Sequence, residues 1–293
     1  MCTDGRCQAA VLGVAVGRPY GIALDSQFVY FVDNTGGSVN KVAKSGDPSS
    51  LVGLATELRG VNLVAVDPEP DGAVFFTLGG PDGGVSKVGK DGGPVRVVAS
   101  VADAWDIALD PTNVYFSAVN GLYRVPKTGG TPTRLAALSS DPGSVAIDGD
   151  TIYFNDKANG TVNRLPKDGS STVAEVLADQ QPMPDGVAVD PSNIYWTCFS
   201  GAAVVRCSKQ DTQDRQTLAN DQFQPNGIAA YGAFVYYTAY NSGTVSRVSA
   251  TGGQPLLLAQ CDSPVRVAVD ESYVYYTASG RQNNAPGVFK VPK

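Results

Sequence analysis

The 293-residue sequence contains no histidine. Its absence removes imidazole from every mechanism that needs a side chain titrating near neutrality: a Ser-His-Asp or Cys-His nucleophilic system, a His-ligated zinc or copper site, and a lyase that takes a proton with an imidazole base. Basic residues are also scarce, 22 Lys and Arg against 28 Asp and Glu, for a net charge of −6. Nucleic acid and anionic membrane surfaces both require clustered Lys and Arg, so neither is expected as a partner. No stretch reaches the ~18 apolar residues of a membrane helix, and no membrane span is expected. A 3.6-residue apolar stripe free of Gly and Pro is missing too, so helices should be few. There is no Walker loop: Gly36-Gly37, Gly79-Gly80, Gly92-Gly93, Gly129-Gly130 and Gly252-Gly253 fall between strand-like segments, where turn geometry accounts for them.

What the chain does contain is a repeat of roughly forty residues, seven times over. Each unit opens on a strand like Gly-Ile-Ala-Leu-Asp, at 22–25, 64–67, 107–110, 145–148, 187–190, 228–231 and 267–270. An aromatic pair follows: Tyr30 and Phe31, Phe75 and Phe76, Tyr115 and Phe116, Tyr153 and Phe154, Tyr195 and Trp196, Tyr236 and Tyr237, Tyr275 and Tyr276. A Gly-x-Val-x-Arg-Val-x-Lys segment and a Leu-Ala segment complete the unit. These four short segments, rich in Val, Ile, Tyr and Phe and separated by Gly, Asn, Asp and Pro, read as strands. A four-stranded unit cannot bury both its faces alone, but seven stacked units close into a ring. The predicted fold is all-β, a seven-bladed β-propeller of four-stranded antiparallel blades in one domain over 1–293, with blades starting near 19, 61, 104, 142, 184, 225 and 264. The seventh unit stops at Lys293 before any Leu-Ala strand, and an orphan strand at 9–16 is predicted to complete it. Closure of this kind leaves no open edge between first and last blade.

Cys2 and Cys7 frame a short polar loop that a local disulfide can close. Cys198 should face about Ala203 across a hairpin, which puts Cys207 too far out of register for a bridge. Both read as small buried apolar residues, and Cys261 is left as a fifth, unpaired or of unassigned pairing. The Cys2 and Cys7 pair and the lack of any cytosolic enzyme signature favour an extracytoplasmic origin, the leader being absent from this sequence. A monomer is expected.

Positions on which the copies agree mark architecture. The alanines at 23, 65, 108, 146, 188, 229 and 268 fit crowded inner strands, and the aspartates at 25, 67, 110, 148, 190 and 270 suit turn capping. The third-strand basic residues Lys41, Lys87, Arg124, Arg164, Arg206, Arg247 and Lys290 suit packed stems with solvated heads. The aromatic pairs suit packing between blades. The copies disagree at the two positions before each first strand: Tyr20, Asn62, Trp105, Gly143, Asp185, Asn226 and Val265, then Gly21, Leu63, Asp106, Ser144, Gly186, Gly227 and Arg266. In a propeller these converge on the mouth of the central channel. The candidate ligand-binding residues are therefore Tyr20, Asn62, Trp105, Asp106, Asp185, Asn226 and Arg266. Oxygen donors around an axis suit Ca²⁺ or Mg²⁺; Arg266 can instead pair with the carboxylates or hold an anionic group of a ligand. Loops 79–84 and 280–286 should rim this face, with Arg281, Gln282, Asn283 and Asn284 as a contact surface.

The stretch 184–190, continuing to Ile194, Tyr195 and Trp196, resembles a blade of the gluconolactonase and senescence-marker-protein family, as does the stretch from Pro225, Asn226 and Gly227 to Tyr236 and Tyr237. The wider blade grammar is similar to propellers with NHL-like or YVTN-like repeats. The resemblance implies that Asp185 and Asn226 bind a catalytic divalent cation; on the hydrolase expectation Asn62 and Asp106 complete its shell, and calcium suits such oxygen donors best. That family has six blades rather than seven, and its Asn-Gly blade precedes its Pro-Asp-Gly blade, the reverse of the order here. The leading expectation is a non-enzymatic propeller, without cofactor, that binds a protein or a small polar ligand at its channel mouth. The second is a divalent-metal-dependent hydrolase of lactonase or esterase type.

Overall fold

The computed structural model describes residues 2–3, 6–7, 9–14, 17–69, 71–139, 142–280 and 285–293. Seven four-stranded antiparallel sheets follow one another around a ring. First strands begin at Pro19, Val61, Ile107, Pro142, Pro184, Pro225 and Pro264. The last blade is built from both chain ends: the N-terminal strand Ala10–Val14 pairs antiparallel with Gly287–Pro292, completing Pro264–Val269 and Tyr273–Ala278. The only helical segment among the described residues is the 3₁₀ turn Pro48–Ser50.

Side chains alternate across a strand, so the two members of each aromatic pair face opposite neighbours. Tyr30 packs with Phe76 of the second blade, while Phe31 packs with Tyr275 of the seventh. Phe75 meets Phe116, Tyr115 meets Phe154, Tyr153 meets Trp196, Tyr195 meets Tyr237, and Tyr236 meets Tyr276. Each blade interface thus has its own apolar cluster, and the recurrent alanine leaves room for it: Ala23 stands opposite Tyr30 and packs against the same cluster.

At the face away from the mouth, the recurrent aspartates 25, 67, 110, 190 and 270 cap their own turns. Asp25 accepts from the Gln27 and Phe28 amides and from the Tyr30 hydroxyl at 2.8–2.9 Å. A lysine of the next blade then reaches it. The pairs are Asp25 with Lys90, Asp67 with Lys127, Asp110 with Lys167, Asp148 with Lys209, and Asp270 with Lys44. The third-strand basic heads, expected in solvent, also bridge blades. Lys87, Arg124, Arg164 and Lys290 donate to the backbone carbonyls of Lys127, Lys167, Lys209 and Lys44, because these loops lie within reach of a long stem running along the sheet.

Among the cysteines, Cys198 pairs in register with Ala203, and both Cys198 and Cys207 are buried free thiols. Cys2 and Cys7 are partners in a short hairpin, but their side chains lie outside the described residues, as do residues 281–284.

Candidate active site at the channel mouth

In six of the seven blades the two variable positions sit in a β-bulge; in the third, Trp105 and Asp106 precede the first strand Ile107–Leu109. In the fifth blade Pro184 pairs with Cys198 and Val187 with Trp196, three steps on one strand against two on the other. The same shift recurs in the first, second, fourth, sixth and seventh blades. A bulge frees residues from the ladder and re-aims them, here toward the axis. The glycine of Pro-Asp-Gly has a steric reason: a Cβ on Gly186 would stand 2.3 Å from the Asn226 carbonyl oxygen of the next blade.

A polar side chain just after the aromatic pair fixes six of the seven mouth residues in space. Thr77, Ser117, Asn155, Thr197, Thr238 and Thr277 donate to the backbone carbonyls of Trp105, Gly143, Asp185, Asn226, Val265 and Tyr20 at 2.7–3.1 Å. Each also accepts an amide of its own blade's entry. These residues were visible in the repeat as a Thr, Ser or Asn at a constant offset, broken only by Val32 in the first blade.

The mouth opens into a cavity of about 280 Å³ lined by Tyr20, Trp105, Asp185 and Asn226 of the predicted set, together with Arg18, Lys157, Met183, Phe199, Tyr240 and Val265. Asp185 Oδ1 accepts from Lys157 Nζ at 2.6 Å and Oδ2 from Arg266 Nη1 at 3.2 Å. Lys157 Nζ lies 4.8 Å from the Trp105 ring centroid, Arg266 lies 5.2 Å from that of Tyr20, and the two rings meet edge to face at 5.7 Å. Burial pushes Asp185 toward protonation, but Lys157 and then Arg266 outweigh it and hold the carboxyl below its ordinary range. Met183, in left-handed backbone at φ 56°, lines the same cavity as the Phe199 ring, with the Phe199 amide on its carbonyl.

The other predicted residues lie elsewhere. Asp106 and Arg266 line a smaller cavity of about 150 Å³ further along the channel, which Asn226 also borders. Asp106 accepts the amides of Ile107 and Val145, and its burial raises its pKa despite Arg266. Asn62 is spent on structure, donating to the Ala104 carbonyl and accepting from Asn34. Lys157 and Arg18 were missed: each occurs in a connecting segment where a basic residue resembles ordinary loop solvation.

A family model described as the SMP-30/gluconolactonase/LRE-like region matches residues 22–223, well over half the chain. The chain belongs to this family. No curated protein matches it. Among solved structures, virginiamycin B lyase from Staphylococcus aureus superposes with a TM-score of 0.79 at 14% identity, over 98% of this chain and 99% of that one. A catalytically inactive histidine-to-alanine variant of that lyase, solved with quinupristin, gives 0.77 at 14% identity, over 98% and 99% of the two chains. A gluconolactonase of Xanthomonas campestris gives 0.63 at 16% identity, over 98% and 89%. At these identities the likeness is one of fold.

The expectation of a non-enzymatic binding protein is corrected by family membership, since the SMP-30/gluconolactonase family model points to an enzyme. The misreading came from weighing the seventh blade and the reversed blade order against a motif confined to two blades. Membership is compatible with a divalent cation, but the donors of this member do not fit one as arranged. Both oxygens of Asp185 are taken by Lys157 and Arg266, and Asn226 Oδ1 accepts from Thr238 and Gly227. Among the described residues no three of Asp, Glu, Cys or His are grouped to share a metal.

Proposed function

We propose that the protein is a hydrolase of lactonase or esterase type working at its channel mouth. The observation that carries this reading is the Lys157, Asp185 and Arg266 cluster, a carboxylate held between two cations on the wall of an aromatic cavity. Family membership supports ester opening, and the absence of histidine leaves carboxylate and ammonium groups to perform it.

The substrate carbonyl oxygen lies against Lys157, whose charge offsets the negative charge that builds there as the tetrahedral centre forms. Asp185 accepts a hydrogen bond from the attacking water and takes its proton. The water oxygen bonds to the carbonyl carbon, the carbon–oxygen ester bond breaks, and the proton passes to the departing alkoxide. A lactone gives a hydroxy acid, and the carboxylate is regenerated. A divalent cation, calcium included, would have to displace Lys157 and Arg266 from Asp185, and no step is assigned to one.

The test is proton release from γ- and δ-lactones and aryl esters in a pH-stat, with EDTA-treated protein. Turnover should persist, Lys157→Met should lower kcat by ~10²–10³-fold, and Lys127→Met on the opposite face should leave it unchanged. No turnover above the spontaneous rate across that panel would sink the reading. Turnover lost in EDTA and restored by a cation would return the chemistry to a metal.

A further inference from the structure

The charge of the mouth is opposite to that of the molecule. Overall the chain carries six more acidic than basic charges, yet Arg18 and Lys157 line the mouth cavity and Arg266 reaches Asp185 from the adjoining one, three cations against the two carboxylates of Asp185 and Asp106. Arg18 makes no ion pair among the described residues and lies 5.9 Å from the Tyr20 centroid. Of the four buried side-chain donors without an acceptor among the described residues, two belong to mouth positions, Arg266 Nη2 and Trp105 Nε1, and Arg266 as a whole is only 8% exposed. Buried donors left unpaired are costly, and an acceptor supplied by a ligand relieves that cost. A surplus of positive charge in a site with apolar walls selects an anion, because the walls lower the local dielectric and strengthen the attraction.

The walls set the rest of the ligand. Trp105, Met183, Phe199 and Val265 present apolar surface, and about 280 Å³ is the small end of the range for small-molecule sites. That volume suits one ring with a short arm, not an oligosaccharide.

We infer that the mouth selects a carboxylate-bearing ligand with a compact apolar body, its anionic group on the Arg18, Lys157 and Arg266 side and its ring against Trp105, Met183 and Phe199. This rests on the channel mouth being the substrate site, and it makes the substrate of the proposed reaction an anionic ester or lactone, not a neutral sugar lactone.

Binding can be measured without turnover. Isothermal titration of the whole protein with phenylacetate and with its neutral isostere phenylacetamide should show the carboxylate binding at least ten-fold tighter, the preference shrinking as salt is raised. Arg18→Gln, an exposed position outside the hydrolytic step, should weaken phenylacetate about ten-fold and leave phenylacetamide unchanged. Equal or tighter binding of the amide, or no binding of either at millimolar concentration, would overturn the inference. Anion binding with no hydrolysis of any ester would sink the hydrolase reading alone, whereas lactone turnover without an anion preference would sink this inference alone.

Discussion

The two ends of the channel both pair aspartate with lysine, and they do so for different purposes. At the far face, Asp110 accepts the amides of Thr112 and Asn113 and the Tyr115 hydroxyl before Lys167 reaches it. Its lone pairs are largely filled by rigid backbone, and the lysine is an addition. At the mouth, Asp185 is held by two side chains alone, Lys157 and Arg266. Side chains can turn toward a substrate at little cost, whereas turn amides cannot. The far ring is therefore a set of braces repeated from blade to blade, and the mouth is a single departure from the repeat that keeps its charges available.

The largest difference should appear on removing one partner of an ion pair at each face. Asp185→Ala strands two buried cations and should cost about 3–5 kcal/mol in denaturant unfolding. Lys127→Met, removing a far-face lysine, should cost about 1 kcal/mol or less, as partly solvated pairs do. Equal losses at the two faces would erase the distinction.

Acid should separate the faces next. Burial works against ionisation of Asp110 and Asp270. Turn amides and the Tyr115 hydroxyl, then Lys167, outweigh it at Asp110; Lys44, with turn amides and the Tyr275 hydroxyl, does so at Asp270, and both pKa values are held down at about 2. A folded-state pKa below the unfolded one gives stability that is fully present above the unfolded value and lost as the pH falls through the folded value. The melting temperature should accordingly stay flat down to about pH 4 and fall between there and about pH 2. A decline beginning near pH 6 would mean that the braces are not formed.

The smallest effect concerns the one interrupted stretch of the far ring. The sixth blade carries Ala250 where other blades carry lysine, so Asp190 lacks its brace, and at the next interface Tyr231 replaces aspartate beneath Lys293 at 4.0 Å from the ring centroid. Ala250→Lys should extend the pattern to Asp190 and stabilise by about 0.5 kcal/mol, read as a small rise in melting temperature. A fall would show that this gap is filled by packing.

Much of this was legible in the sequence because repetition supplies its own controls. Seven copies of an aromatic pair cannot all be accidents of composition, and the strand order, the closure by Ala10–Val14 and the register of Cys198 with Ala203 follow from pattern and period. The mouth positions were found by asking where the copies differ. Lys157 escaped that question because it sits in the loop after the second strand, where Asp-Lys-Ala-Asn-Gly reads as a turn and no copy is expected to match another. The third-strand basic residues were recognised but given solvated heads, since the distance from one blade's loop to the next blade's carbonyl depends on the ring's curvature, which a linear pattern does not carry.

The blade assembled from both chain ends bears on how the molecule is born. Until Gly287–Pro292 leaves the ribosome, Ala10–Val14 has no strand to join, and the blades already made form an arc with two bare margins. At ~5–20 residues per second, synthesis of the intervening chain takes tens of seconds. Throughout that time each margin can recruit a strand from another nascent chain. The yield of folded protein should therefore depend on how crowded the ribosomes are on the message, more than on the strength of any single contact in the finished ring.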